Sequence, residues 1–489
     1  MASLVERVFK GGAWVGALRV LQKSVGFGRK IILARLLFPE DFGLFGIAIL
    51  LLEGFRVLTR TGFKDALIHV RERVDEYLHT SYWIQVAQGL ITGILVYVGA
   101  PLVAQFFSEP RVNPVVRVLA IARVIYGFRS IGVVMLRREL DFRTDSLYRL
   151  SGTLSYFVVT VVLAVLWRDV WALVWGKVVS RSIMVVVSYL VHPYRPRLLF
   201  HKKRAVEIFR YGVWLLGTGI VSYISLQADN IVAGKIVGTG ALGVYQMAYV
   251  VSSLPTTEVA KQIGRVVQSG FAEVQADPER LERMFRKVVL SIFSITAPLA
   301  VGMALTAPTL VPVVLGDKWS ELIPILPILA FGGVARALGT ALGSLFKATG
   351  DTNLSFRMES VRAIALGVGL FICIATSGGL QIIAYAFLFS VVIKTSVAFY
   401  YSFNRYSVDE SLFYGAVPTI ASSALMVFAV YITKNINTFE SGIVSLSIIT
   451  IVGSSVYLIS HVCIESSFKF KILRYTYVKF KMQILNKVK

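Results

Sequence analysis

Arg19, Lys23 and Lys30 lie within about 40° of one another at 100° per residue, on a stretch, residues 11–36, that otherwise reads as a first membrane-spanning helix. Arg29 points about 80° away from that stripe. Arginine grips phosphate and carboxylate bidentately and lysine attracts them as a point charge, so a stripe of this kind can hold an anion away from bulk water. The placement is costly. A basic residue at the centre of a membrane helix costs about 2.5–3.5 kcal/mol, and four could reach roughly 10–14. The Val, Leu, Ile and Phe residues of the same stretch return only about 3–6 kcal/mol on that scale. Two readings are open: a short span whose ends snorkel to the surface, or a cationic stripe facing a wet cavity.

More basic residues sit inside neighbouring spans. EGFRVLTR places Glu53, Arg56 and Arg60 on one face, either as an internal ion pair with an anchor or with Arg56 on a cavity. Arg117, Arg123 and Arg129 recur every six residues, about 120° apart, so they cannot share a stripe; Arg123 is nearest mid-depth. Lys177 and Arg181 share a face at i, i+4. The candidate anion site is therefore Arg19, Lys23, Lys30, Arg56, Arg123, Lys177 and Arg181, with Glu53 the only acid inside the first six spans. Carboxylates are too few to neutralise these cations, so the missing partner is expected to be an anionic, phosphorylated amphiphile. Asp229 and Glu258 are the candidate ion-coupling acids, for H+ or Na+; an ion pair with a cavity cation is the alternative for Asp229.

These residues need a scaffold that crosses a membrane many times. The 489-residue chain is 56% hydrophobic and 16% charged, with mean hydropathy +0.69, where a soluble protein carries about 25% charged residues. Hydrophobic periodicity gives an all-α polytopic membrane protein of about 14 transmembrane helices. The short alternating strands of a β-barrel are missing. Lys and Arg crowd one set of connections, whereas the other set carries only Arg111, Arg168, Lys318 and Lys434. That bias places both termini in the cytoplasm and the chain in the cytoplasmic membrane. It also accounts for the net charge of +23 without nucleic acid, the basic loops and tail facing anionic membrane lipids instead.

The chain also repeats itself. At a shift of 200, Gly12 meets Gly212, Trp14 meets Trp214, Ile31 meets Ile231, Gly43 meets Gly243 and Ala48 meets Ala248. Six spans separate the copies, an even number, so the halves are parallel repeats: two six-helix lobes around a central cavity. The expected organisation is an N-terminal lobe 1–192, a basic linker 193–210, a C-terminal lobe 211–402, an appended pair of helices 403–464 and a basic tail 465–489. Residues 369–489 hold two Arg and eight Lys, a shift that sets the appended pair apart.

No P-loop, zincin or nucleophile-elbow motif occurs, and the five His are scattered. No catalytic residue, metal site or cofactor is expected, and the chain reads as a transporter rather than an enzyme. The segments ILARLLFPEDFGLFGIA (32–48), TGFKDALIHVRERVDEYLHTSYW (61–83), LQADNIVAGKIVGTGALGVYQMA (226–248) and LGDKWSELIPILPILA (315–330) resemble, in order, the polysaccharide transporter (Wzx-type flippase) family of the multidrug/oligosaccharidyl-lipid/polysaccharide exporter superfamily. The resemblance implies a two-lobed bundle that moves lipid-linked oligosaccharides, with glycan polymerase or glycosyltransferase machinery as neighbours. Asp229 matches the acid of the family's ADN-like segment. Two rival readings are an ion-coupled multidrug exporter of the same superfamily, for which an acidic cavity is expected, and a membrane-embedded glycan polymerase.

Overall fold

The computed structural model describes residues 4–59, 74–139, 141–202, 206, 219–220, 222–406, 411–436 and 442–487, and among them there is no strand. The first helices are α1 (Leu4–Leu36), α2 (Pro39–Leu58), α3 (Val74–Phe107), α4 (Val112–Gly127), the short α5 (Gly132–Arg138), α6 (Phe142–Trp167) and α7 (Trp171–Leu190). Next come α8 (222–232), which runs into a π-helical turn at Ala233–Val237, then α9 (Thr239–Val274), α10 (Pro278–Val314) and α11 (Ile325–Ala348). The last are α12 (Thr352–Ala375), α13 (Leu380–Tyr406), α14 (Ser411–Ile436) and α15 (Gly442–Lys487). Among the described residues nine helices are long and apolar enough to cross a membrane. Large apolar side chains such as Leu102, Leu166, Phe371 and Val462 stand exposed on them, as lipid-facing side chains do.

About 14 spans are expected; residues 211–218 and 221, part of the expected seventh span, lie outside the described residues, and where helices are described they lie close to the expected positions, with two informative departures. By hydrophobicity, residues 114–136 read as one unbroken fourth span. Instead α4 ends at Gly127 and the chain turns through Phe128–Ile131 before α5. The break is stabilised from outside the helix: Gln85 Nε2 donates to the carbonyls of Gly127 (2.9 Å) and Arg129 (2.6 Å), and Ser130 N–H donates to Ser188 Oγ (2.9 Å). These bonds satisfy backbone groups that would otherwise be stranded in a low-dielectric interior. At the other end of the chain, α15 does not stop near residue 464 but continues as one 46-residue helix.

Two compact units divide the chain, Met1–Gln246 and Met247–Lys489. In the first, α6 packs along α7 and α1, and α4 packs along α3, α7 and α2. In the second, α12 packs along α13, α10 along α11, and α11 along α13. The pairings of spans five with six, three with four and four with six therefore recur as eleven with twelve, nine with ten and ten with twelve, as the repeat requires.

The register of the repeat is visible inside the first unit. A Cβ placed on Gly43 of α2 would strike the carbonyl of Thr239, and one on Gly243 of α9 would strike the carbonyl of Pro39. Gly46 faces Gln246, and Gly240 faces Glu40 at 3.4 Å. Residues 200 apart thus meet or exchange partners across one crossing, as happens where two copies touch on a local two-fold axis. Only glycine lets the two backbones approach this closely.

In the second unit α11 is the most enclosed of the nine, lying against α10, α12 and α13. The helices α14 and α15 pack on each other and on α10. Pro298 inside α10 has no N–H to offer the carbonyl four residues earlier, that of Ser294. Tyr457 of α15 donates its hydroxyl to that carbonyl at 2.5 Å.

Candidate functional site: a cationic cluster in the first unit

The cluster is assembled by α1, α2, α4, α6 and α7. Small residues set α6 against α7: Gly152 sits under Met184, Gly176 under Thr160, and Ser180 Oγ donates to the Gly152 carbonyl at 2.9 Å. This close approach carries Lys177 and Arg181 of α7 onto tyrosines of neighbouring helices. Lys177 Nζ stands 5.1 Å from the ring centre of Tyr156 in α6. The guanidinium of Arg181 stands 4.3 Å from the ring centre of Tyr126, near the end of α4.

From α1 the cation that reaches this group is Arg29, 3.8 Å from the ring centre of Tyr156. The off-stripe residue thus joins the cluster because α1 packs along α6, and a long guanidinium on that flank reaches the Tyr156 ring. Lys30 is next to it and electrostatically coupled to it. Arg19 and Lys23 are exposed, several turns nearer the start of the helix. They share a face with Leu33, Ala34 and Leu37, which are fully buried. That face of α1 is packed at its C-terminal end and open where the first two cations stand; Gly26, between them and Arg29, has no neighbour within 4 Å.

Arg123 of α4 lies within electrostatic reach of Arg56, Glu53, Tyr126 and Arg181. Its Nε is buried and has no hydrogen-bond partner among the described residues. Arg56 pairs with Glu53 at 2.5 Å, so the one acid of the group is already taken by a neighbour on its own helix. Among the described residues, Arg29, Arg123, Lys177 and Arg181 form no ion pair with a carboxylate. The structure therefore gathers Arg29, Arg56, Arg123, Lys177 and Arg181, with Lys30 at the edge and Arg19 and Lys23 further along α1. Arg117 stands apart, over Tyr97 at 4.9 Å. Arg129 is buried at the α4–α5 break, where its NH1 donates to the Tyr126 hydroxyl at 2.7 Å.

The residues that spacing alone did not single out are Arg29, Tyr126 and Tyr156. A local signal existed for one of them: Tyr126 is three residues from both Arg123 and Arg129, hence beside each on the helix.

Asp229 lies elsewhere in the unit, 4% exposed. Tyr245 donates its hydroxyl to Asp229 Oδ2 at 2.9 Å and Asn230 N–H donates to Oδ1 at 2.9 Å. The Tyr245 bond ties α9 to α8 across the π-helical turn. The side chain of Glu258 lies outside the described residues.

Residues 32–324, more than half of the chain, match the polysaccharide biosynthesis protein family. The chain belongs to that family. The match starts at the end of α1 and reaches the loop before α11, so it takes in the tyrosines and every cluster cation except Arg19, Lys23, Arg29 and Lys30 of α1. The family member is similar to the lipopolysaccharide biosynthesis protein WzxC of Escherichia coli, 26% identical over 432 residues, 86% of this chain and 88% of that one. It is also similar to the succinoglycan biosynthesis transport protein ExoT of Rhizobium meliloti, 24% identical with 92% of each chain covered. Among solved structures its fold is similar to that of lipid II flippase MurJ in an inward closed conformation. The TM-score is 0.73 at 16% identity, with 94% of this chain and 99% of that chain covered. A multidrug resistance MATE family transporter of the MOP superfamily in an inward-facing conformation gives 0.63 at 18% identity, over 79% of this chain and 94% of that one. The polysaccharide family read from the four sequence segments and the all-helical membrane fold expected of it both hold.

Proposed function

We propose that this protein is a flippase that carries a polyprenyl-(pyro)phosphate-linked oligosaccharide from the inner to the outer leaflet of the cytoplasmic membrane by alternating access. The observation that carries the reading is the cationic cluster of the first unit: Arg29, Arg123, Lys177 and Arg181 converge without carboxylate partners among the described residues. Charges held in that way stabilise a phosphorylated head group, the one part common to lipid carriers whatever their glycan. The apolar tail stays in lipid while the head and sugars cross. The family and the relatives named for lipopolysaccharide and succinoglycan biosynthesis support a saccharide cargo. The substrate then comes from glycosyltransferases on the cytoplasmic side, where both termini lie, and is consumed by a polymerase or transferase on the other.

The multidrug-exporter reading shares the fold but calls for acids to receive cationic drugs, and this cluster has the opposite sign. Coupling to H+ or Na+ is assigned to Asp229. Asp229→Asn should abolish any dependence of transport on an imposed ion gradient while leaving downhill movement of the lipid. Equal gradient dependence in the variant would remove Asp229 from the coupling role. The overall function is tested by depleting the protein and locating its lipid-linked saccharide. Accumulation on the cytoplasmic leaflet is expected; chain growth catalysed by the pure protein would replace the flippase with a polymerase.

A further inference from the structure

Both units use carboxylates and rings: Glu53 pairs with Arg56 in the first, and in the second Arg336 stands 4.8 Å from the Tyr249 ring centre. In the second unit Glu359 of α12 accepts from Arg362 Nε at 3.1 Å and from Lys394 of α13. One carboxylate there offsets two cations. In the first unit Asp145 pairs likewise with Arg149 at 2.9 Å, but the cluster cations Arg29, Lys177 and Arg181 stand against rings. Tyr156 lies between Arg29 of α1 at 3.8 Å and Lys177 of α7 at 5.1 Å. Tyr126 lies between Arg181 at 4.3 Å and Arg129 at 5.0 Å. Lys177 feels Arg181 and Arg29 as like-charged neighbours and Glu53, already paired with Arg56, as an opposing carboxylate, so the rings add to what offsets the repulsion when no ligand is bound.

A carboxylate would do so by cancelling charge, and it would compete with an incoming phosphate for the same donors. An aromatic ring acts through its quadrupole: its negative face stabilises a desolvated cation and leaves the full positive charge available. We propose that Tyr156 and Tyr126 are positioning residues that hold the cluster cations in place as uncharged counterparts, keeping the site's net charge free for a phosphorylated lipid head. The inference rests on the reading of this cluster as the head-group site. Tyr156 is the sharper case, since it joins cations from two different helices and fixes the distance of α1 from α7. Neither tyrosine touches the phosphate in this account; each acts through the cations it holds.

A ring of constant shape and variable electrostatics provides the test. Residue 156 is replaced by phenylalanine and by its mono-, di- and trifluorinated forms, which weaken the negative face of the ring stepwise. Affinity of the purified full-length protein for farnesyl pyrophosphate is measured, with melting temperature recorded for each form. Tyr156→Phe should bind within about twofold of wild type, and the trifluorinated ring about tenfold more weakly, with intermediate steps between. A structural role alone would move melting and leave this gradation absent. Affinity that stays flat across the series overturns the inference. A wild-type protein that does not bind farnesyl pyrophosphate overturns the reading of the site itself, which separates the two failures. If the fluorinated forms do not express, Tyr156→Leu in a double-mutant cycle with Arg29→Gln replaces them. Removing Arg29 should then cost several-fold less affinity without the ring than with it, and equal costs would overturn the inference.

Discussion

At the residue scale the account turns on which cations have a neutralising neighbour. Arg123 has a buried Nε without a hydrogen-bond partner among the described residues, and in the proposed function it would donate to the anionic head group. A hydrogen bond to a charged group contributes about 1.5–3 kcal/mol. Arg123→Ala and Lys177→Gln should each slow translocation by about 10–100-fold, with membrane insertion and melting temperature unchanged. Lys23→Ala is expected to act less strongly, because Lys23 stands on the open part of α1 rather than among the tyrosines. Arg56 is already paired with Glu53, so Glu53→Gln should free it and tighten binding of a phosphorylated head. Unchanged binding would show that the pair stays outside the site.

A second residue-scale prediction concerns the α3–α4 turn. Arg111 grips Glu109 with two bonds, Nε to Oε1 at 2.8 Å and NH2 to Oε2 at 3.0 Å. The hydrogen bond from that guanidinium holds the Glu109 carboxyl below the usual carboxylate range. A depressed folded value means that the stabilisation is fully present above the ordinary glutamate value, about 4.3, and is lost as pH falls through the lower folded value. Arg111 is largely exposed, so the pair contributes only about 0.5–1 kcal/mol. Glu109→Gln should melt slightly below wild type near neutral pH, and the gap should close at acid pH. A gap that widens on acidification would contradict the assignment.

At the element scale two contacts between helices lend themselves to substitution. The α2–α9 crossing admits nothing larger than glycine at 43 and 243, and the two positions are equivalents in the repeat. Gly43→Val and Gly243→Val should therefore cost alike, about 1–3 kcal/mol each, read as equal losses of melting temperature. A loss at one position alone would deny the local two-fold. The second contact is Tyr457 on the Ser294 carbonyl. Tyr457→Phe leaves that carbonyl unsatisfied beside Pro298 and should cost about 1–3 kcal/mol, loosening α15 from α10 as read by accelerated hydrogen exchange in α15.

Much of this architecture was legible in the sequence, for physical reasons that also mark where it stopped. Span positions follow from the length of apolar chain needed to cross hydrocarbon, and the glycine pairs of the repeat mark the crossing because nothing else fits there. The break after Gly127 was not legible, since Gln85 and Ser188, which cap it, belong to other helices. For the same reason the stripe on α1 was only part of the site. Helical angle gives the direction of a Cα, whereas Arg29 reaches Tyr156 by the length of its side chain and by the packing of α1 along α6. Tyrosines are common in membrane helices, so nothing in their types announced that two of them hold cations.

At the scale of the whole molecule, a duplicated scaffold carries two unlike charge arrangements. In the first unit Arg29, Arg123, Lys177 and Arg181 form no ion pair with a carboxylate among the described residues, while in the second Glu359 offsets Arg362 and Lys394 and Arg336 lies over the Tyr249 ring. In the proposed function the duplication would supply two similar bodies for alternating access, and the anionic head group would bind in the first. Glu359→Gln should then leave head-group affinity unchanged while altering the transport rate; a large loss of affinity would place substrate in the second unit as well. The most direct measurement is translocation of a fluorescent polyprenyl pyrophosphate-linked disaccharide in vesicles containing only this protein. The account predicts that wild type exposes the label on the opposite leaflet and that Lys177→Gln does so at least about tenfold more slowly. Equal rates in wild-type, Lys177→Gln and protein-free vesicles would contradict it.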